Sequence, residues 1–123
     1  MTDTTNTLSN ARALADMIER GEILEAVDRF YADNAQMQEN ANAPTVGKDA
    51  IVTHEKAFLS TVKEWKRTEF KAIAAEGDVA FLEYAFDFVN TDGQLVRYKQ
   101  ISAQRWKDGK IVHERFYYDA SGS

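Results

Sequence analysis

Apolar residues in the first half of the chain recur at the spacing of helices. In the first helix they stand at i, i+3, i+4 and i+7, at Ala11, Leu14, Ala15 and Ile18. Thr7 or Ser9 would cap the start of this helix, and Gly21 would end it. The pattern also predicts a second helix over about residues 22–32, a short strand over 35–40, and a third helix after Gly47.

In the second half of the chain, apolar and polar residues alternate with the period of β-strands. Four such runs cover residues 70–76, 79–90, 95–107 and 110–119. They are separated by pairs that favour tight hairpin turns, Gly77-Asp78, Asp92-Gly93 and Asp108-Gly109. Long strands twist and coil, so we expect a strongly curved sheet. The predicted fold is α+β: a curved antiparallel sheet, made of a four-strand meander plus a short strand, wraps on three N-terminal helices. The result would be a cone with a central pocket.

The composition narrows the class of protein. With 123 residues, we predict a single domain over residues 1–123, with polar tails at 1–8 and 120–123. The formal charge of −5 argues against a nucleic-acid partner. Cysteine, a secretory leader and a membrane-spanning apolar run are all absent, so we expect a cytoplasmic protein without a membrane partner. The sequence has neither a phosphate-binding loop nor a metal-ligand spacing, so it predicts no cofactor and no metal.

Two stretches carry a resemblance to a known family. They are VGKDAI (residues 46–51), where the third helix begins, and DGKIVHERFYYD (residues 108–119), at the end of the sheet. With the order of elements over nearly the whole chain, they resemble the SnoaL-like proteins, of the superfamily that includes ketosteroid isomerase and nuclear transport factor two. The resemblance implies a cone-shaped pocket and frequent homodimers. It also implies a wide choice of activities, among them cyclases, isomerases, epoxide hydrolases and dehydratases.

The resemblance implies a position for a general base, just before the loop that leads to the third helix. In ketosteroid isomerase an aspartate base works there beside an oxyanion hole of a tyrosine and a protonated aspartate. Counting back from Gly47 gives Gln38, a neutral amide that cannot abstract a proton, with Glu39 next to it. The first helix also lacks the isomerase tyrosine. We therefore do not expect a steroid isomerase. Glu39 is the candidate base, and the alternative is a solvated loop acid.

Asp119 and His54 are the other candidates for catalysis. Asp119 matches an aspartate that, in SnoaL-like polyketide cyclases, acts as acid or base with a histidine on the preceding strand. Here that strand has Gln100 and Gln104 instead of a histidine. Asp119 is therefore either catalytic or an acid that satisfies a loop by hydrogen bonding. His54 follows Ile51 by three residues on the buried stripe of the third helix, so it is either a core residue or a polar group at the pocket.

The last strand mixes apolar and ionisable residues on both of its faces. By alternation, one face would carry Ile111, His113, Arg115, Tyr117 and Asp119. The other face would carry Val112, Glu114, Phe116 and Tyr118. Parity alone leaves open which of the two faces lines the pocket.

Two functions are compatible with these features. The first is an acid–base isomerase, cyclase or hydratase, with Glu39 or Asp119 as the base and His54 assisting. The second is a non-catalytic ligand-binding or dimeric interaction module of the same fold. Either would bind a small apolar or aromatic ligand, and we expect a homodimer through the outer face of the sheet. The residues predicted to bind the ligand or assist catalysis are Tyr31, Phe58, Tyr98, Gln100, Trp106, His113 and Tyr117.

Overall fold

The computed structural model describes residues 4–119. Its helices are α1 (Thr4–Glu19), α2 (Ile23–Phe30) and α3 (Lys48–Leu59). Its strands are β1 (Tyr31–Glu39), β2 (Thr45–Val46), β3 (Val62–Glu76), β4 (Val79–Asn90), β5 (Leu95–Lys107) and β6 (Lys110–Tyr117). The predicted α+β architecture of three helices and a curved sheet is confirmed. Within residues 4–119, no helix is long and apolar enough to cross a membrane.

The six strands form one mixed sheet in the order β2-β1-β6-β5-β4-β3. The expected antiparallel meander is present from β3 to β6. The first strand was expected to be short, but it is nine residues long and pairs with β6 in parallel, with Met37 opposite Glu114. A fully antiparallel sheet was therefore the wrong prediction at this edge. Strand β6 therefore lies inside the sheet, with β1 and β5 on either side of it.

The helices lie against one face of this sheet and build the core. On α1 the predicted stripe is buried at Ala11, Leu14 and Ala15. The two ends of α1 are hydrogen-bonded to β3 and to the turn that follows it. Thr4 Oγ1 accepts from the N–H of Gly77 in the turn at 2.8 Å, and a Glu19 carboxylate oxygen accepts from the N–H of Phe70 in β3 at 3.0 Å. These two hydrogen bonds hold the helix against the sheet.

Several predicted boundaries are wrong. Helix α1 begins at Thr4, so residues 4–8 are helical and not part of a tail, and Thr7 is a buried helical residue rather than the cap. The rest of the expected tails, residues 1–3 and 120–123, lies outside the described residues. Helix α2 ends at Phe30 because Tyr31 already has an extended backbone. Strand β3 begins at Val62, eight residues before the run expected to form it.

A β-bulge interrupts the alternation of the last strand. Arg105 faces His113, whereas the next residue, Trp106, faces Ile111, so Val112 is an extra residue in β6. Ile111 therefore joins the buried face with Trp106, although strict alternation places it with His113. Beyond the bulge, Glu114 points inward and Tyr117 outward, with exposed fractions of 3% and 46%. The structure thus decides between the two faces.

Candidate functional site

A cavity of about 170 Å³ lies between the three helices and the concave face of the sheet. Most of its walls are apolar side chains from every helix and from all the long strands. Aromatic rings dominate the sheet side, at Trp65, Tyr84, Phe86, Tyr98, Phe116 and Tyr118, and Phe58 of α3 packs against the rings of Trp65 and Phe86. The charged or titratable groups among these walls include three carboxyls, which belong to Glu39, Glu55 and Glu114. The arrangement is that of a small-molecule site, apolar with a few convergent polar groups.

Glu114 is a buried carboxyl at the floor of the cavity. Its Oε1 accepts a hydrogen bond from the Tyr31 hydroxyl. Its Oε2 accepts from Ser102 Oγ at 2.6 Å and from Gln104 Nε2 at 2.8 Å. Burial raises the pKa of Glu114, and the hydrogen bonds from Ser102, Tyr31 and Gln104 oppose the rise. Gln104 is held in turn, because its Oε1 accepts from Trp106 Nε1 at 3.1 Å.

Glu39 lies at the more open end of the cavity, where β1 ends. Its Oε1 accepts from the Tyr118 hydroxyl at 2.6 Å. Its Oε2 lies 3.2 Å from His54 Nε2. The hydrogen bond to Glu39, followed by burial, raises the pKa of Tyr118 to about 12, so this phenol remains a donor at neutral pH. The side chains of Glu39 and His54 are 36% and 42% exposed, which places this pair at the mouth.

Glu55 comes from α3, on the turn that also carries His54. Burial raises its pKa to about 7, and the charges of Glu114 and Glu39 add to the effect. Among residues 4–119, no side chain or backbone N–H donates a hydrogen bond to Glu55, in contrast to the other two carboxyls. A carboxyl that changes protonation near neutral pH is poised both to give and to take a proton.

Tyr84 and Gln100 add a polar pair to the aromatic wall. Gln100 Nε2 donates to the Tyr84 hydroxyl oxygen, which leaves the phenolic hydrogen available to a ligand in the cavity. Burial is the main cause that raises the pKa of Tyr84 well above its ordinary value, so the phenol stays protonated. This hydroxyl can therefore donate to an oxygen or nitrogen of a bound molecule.

Six of the residues chosen from sequence line the cavity: Tyr31, Glu39, His54, Phe58, Tyr98 and Gln100. The other four do not. Trp106 is buried in the core, in edge-to-face contact with Phe30. His113 and Tyr117 lie on the convex face, where Arg115 is close to both. Asp119 follows the end of β6 as an exposed residue outside the cavity lining.

Glu55 and Glu114 were not among the site residues predicted from the sequence, and neither were Tyr84 and Tyr118. A signal for Glu55 was present, since Ile51, Glu55 and Phe58 stand at i, i+4 and i+7 on the inner stripe of α3. Glu114 lacked such a signal, because the face of β6 depends on the bulge and on the parallel contact with β1. The three carboxyls do not form a metal cluster: within residues 4–119, no group of His, Asp and Glu side chains is placed to hold an ion.

Solved structures with the same fold come from several bacteria. A protein of Mesorhizobium loti, whose name gives SnoaL-like polyketide cyclase and, in brackets, carbohydrate phosphatase, superposes with a TM-score of 0.77 at 23% identity, over 89% of this chain and 97% of its own. An NTF2-like protein of unknown function from Burkholderia pseudomallei gives 0.81 at 14% identity, over 94% and 92%. An LEH-like epoxide hydrolase of Mycobacterium tuberculosis gives 0.78 at 17% identity, over 97% and 86%. At these identities the likeness shows the fold alone.

The family of the chain is shown by its sequence and not by these structural likenesses. No curated protein matches the chain. The sequence model of the SnoaL-like domain matches residues 11–114, which is most of the chain and includes the floor of the cavity as far as Glu114. The chain therefore belongs to the SnoaL-like domain family, in the NTF2-like superfamily.

Proposed function

We propose that the chain is an acid–base enzyme that acts on a small, largely apolar molecule with one polar group. The observation that carries this proposal is the position of Glu39, Glu55 and Glu114 on the walls of one otherwise apolar cavity. Carboxyls in such surroundings exchange protons with a bound molecule more readily than solvated ones do at neutral pH. A cavity whose carboxyls turned outward would have favoured binding without catalysis.

We assign the proton transfer to Glu55. It lines the cavity and receives no hydrogen bond from residues 4–119, and its pKa of about 7 suits an acid or a base at neutral pH. Glu39 is the second candidate base, which Tyr118 and His54 hold in place. The Tyr84 hydroxyl would polarise the polar group of the substrate by donating a hydrogen bond to it. Glu114 accepts three hydrogen bonds and fixes the floor, so we treat it as a positioning residue.

The reaction classes that fit are isomerisation, cyclisation and hydration. Each moves a proton from carbon or water to carbon or oxygen, so a carboxyl that can take up a proton and return it supplies the acid–base step. The names of two neighbours, a polyketide cyclase and an epoxide hydrolase, fall within these classes. Asp119 has no part in this proposal, because it lies outside the cavity lining.

A substrate screen with a matched pair of variants tests the proposal. The panel holds a β,γ-unsaturated ketone, an aryl epoxide and an aromatic β-keto ester, each as the neutral compound and as an amino-substituted analogue that is cationic at neutral pH. Products are followed by chromatography. We expect turnover of at least one, a loss of about 100-fold or more in kcat/KM in Glu55→Gln, and no loss in Glu25→Gln. Glu25 is an exposed glutamate on α2. Turnover that Glu55→Gln leaves unchanged would refute the assignment to Glu55. Saturable binding without product formation would favour the alternative, a non-catalytic binding module.

We further propose that the protein is a homodimer through the convex face of the sheet. Phe81, Ile101 and Tyr117 are each about half exposed on neighbouring strands there. Exposed apolar groups gathered on one face are typical of an interface. Light scattering at micromolar concentration should give twice 13.9 kDa, and a mass of one chain would refute the dimer. A cytoplasmic location stays a prediction from the sequence.

A further inference from the structure

The walls of the cavity are acidic without a basic counterpart. Among residues 4–119, three carboxyls reach it and no lysine or arginine does, so His54 is the one described side chain there that can become cationic. Two of the carboxyls are already satisfied: Glu39 by Tyr118 and His54, and Glu114 by Tyr31, Ser102 and Gln104. Only Glu55, among the cavity carboxyls, faces the space without a partner in the described part of the chain.

Aromatic rings surround the same space. The rings of Phe58, Trp65 and Phe86 lie 5.8–6.2 Å apart, centroid to centroid, and meet at steep angles. Tyr98 extends this wall, with its ring 5.0 Å from that of Phe86 and 5.8 Å from that of Tyr118. Faces of aromatic rings attract cations, most strongly where water is excluded. Rings on the walls and an unpaired carboxyl are the two features that a cationic nitrogen needs.

We propose that the cavity selects ligands in which an apolar or aromatic body carries a positively charged nitrogen, with the charge placed against Glu55. The inference deepens the proposed function and rests on it, since it names the substrate class of the same site. An ammonium group would supply the hydrogen bonds that Glu55 lacks, while the rings would bind the body and share in stabilising the charge. In the described part of the cavity wall, a phosphate, sulfate or carboxylate ligand would meet three acids and no lysine or arginine.

The competing ligand is a neutral molecule with a hydroxyl or carbonyl group. A protonated Glu55 would donate a hydrogen bond to the oxygen of that group. The two ligands predict opposite effects of pH. A cation binds the ionised form of Glu55 better, so its affinity should rise with pH as Glu55 loses its proton, around pH 7. The other titratable groups that face this space are Tyr31 and Glu39 on β1, His54 on α3, Tyr84 on β4, Tyr98 on β5, Glu114 on β6, and Tyr118 beyond it.

Probes of matched size separate the two ligands. A cavity of about 170 Å³ holds little more than a benzene ring and a short chain. We therefore choose 2-phenylethylamine, its neutral isostere 2-phenylethanol, and the anion 3-phenylpropanoate. Dissociation constants are measured by calorimetry at pH 8 and pH 5.5 on the full chain, on Glu55→Gln and on the Glu25→Gln control.

At pH 8 we expect the amine to bind about tenfold more tightly than the alcohol, and the anion to bind most weakly. The preference for the amine should shrink to about threefold or less at pH 5.5, and should vanish at both pH values in Glu55→Gln but not in Glu25→Gln. NMR titration of Glu55 should show its pKa lowered by about one unit when the amine is bound, which is the same tenfold preference in another form.

Equal binding of the amine and the alcohol at pH 8 would overturn the proposal, as would an amine preference that survives in Glu55→Gln. The absence of amine binding at 10 mM, about the weakest binding that calorimetry detects, would also overturn it. These results are distinguishable from failure of the enzyme proposal. Turnover of a neutral substrate without any amine preference would refute only the ligand class. An amine preference without turnover of any substrate would refute only the enzyme.

Discussion

Glu55→Gln should stabilise the protein, and the gain should depend on pH. Because the pKa of Glu55 is raised from an ordinary 4.5 to about 7, the folded state binds this proton more tightly than the unfolded chain does. The contribution of Glu55 to the free energy of unfolding is therefore most favourable below about pH 4.5. It is lost as the pH rises to about 7, and it is constant above that. Glutamine keeps the shape of the side chain and removes the charge.

The size of the expected gain in the free energy of unfolding follows from the rise in the pKa of Glu55. Each tenfold change in proton affinity is worth about 1.4 kcal/mol, so an ionised Glu55 costs the folded state up to about 3 kcal/mol at pH 8. Water at the open mouth of the cavity screens part of this, and we expect about 2 kcal/mol. That is a large part of the roughly 5–15 kcal/mol that stabilise a domain. At pH 5, where the folded protein keeps the proton, the gain should stay below about 1 kcal/mol.

Urea unfolding at pH 5 and pH 8 measures both values, and the Glu25→Gln variant is the control. An exposed glutamate should change the free energy of unfolding by no more than about 0.5 kcal/mol at either pH. The reasoning is refuted if Glu55→Gln changes stability equally at the two pH values, or if it destabilises the protein at both. Stabilisation on removal of Glu55 would also fit a functional group that the fold tolerates at a cost.

Three further variants test the floor, the core and one turn. Tyr31→Phe leaves a buried oxygen of Glu114 without its donor and should lower the free energy of unfolding in urea by about 1–3 kcal/mol. The control Tyr117→Phe, on the exposed face, should lower it by less than about 0.5 kcal/mol. Equal losses in the two variants would contradict the hydrogen bond from Tyr31 to Glu114. Leu14→Ala opens a cavity in the core, since its side chain is 1% exposed, and should cost about 2–5 kcal/mol in the same assay. Gly47→Ala should cost about 1–3 kcal/mol from its backbone alone, because φ is 95° and ψ is 143°. A methyl group there would meet only the backbone oxygen of Asp33, at an ordinary contact distance of 3.9 Å, and an unchanged midpoint would refute the strain.

Local pattern was enough to predict most of the architecture. The stripe of α1 and the alternation of β4, β5 and β6 are set by which side chains must be buried, and burial leaves a period in the sequence. The three hairpins follow from glycine, since Gly77, Gly93 and Gly109 all adopt positive φ. The strand pairing at the edges of the sheet was harder to predict from the sequence. The parallel contact of β1 with β6 joins residues more than seventy positions apart, and neither strand carries a local sign of its partner.

The candidate site was harder to predict because it departs from those patterns. Strict alternation assigns Ile111 and His113 to one face, yet the extra residue at Val112 turns Ile111 inward and leaves His113 outside. Glu55 and Glu114 are charged residues at positions that pattern reserves for apolar ones, the first on the stripe of α3 and the second beneath the helices. A fold does not need an unpaired carboxyl in its cavity, and keeping one makes the protein less stable at neutral pH. A residue that opposes the stability of its own fold is best explained by the ligand it binds, and this is why Glu55 stands at the centre of both proposals.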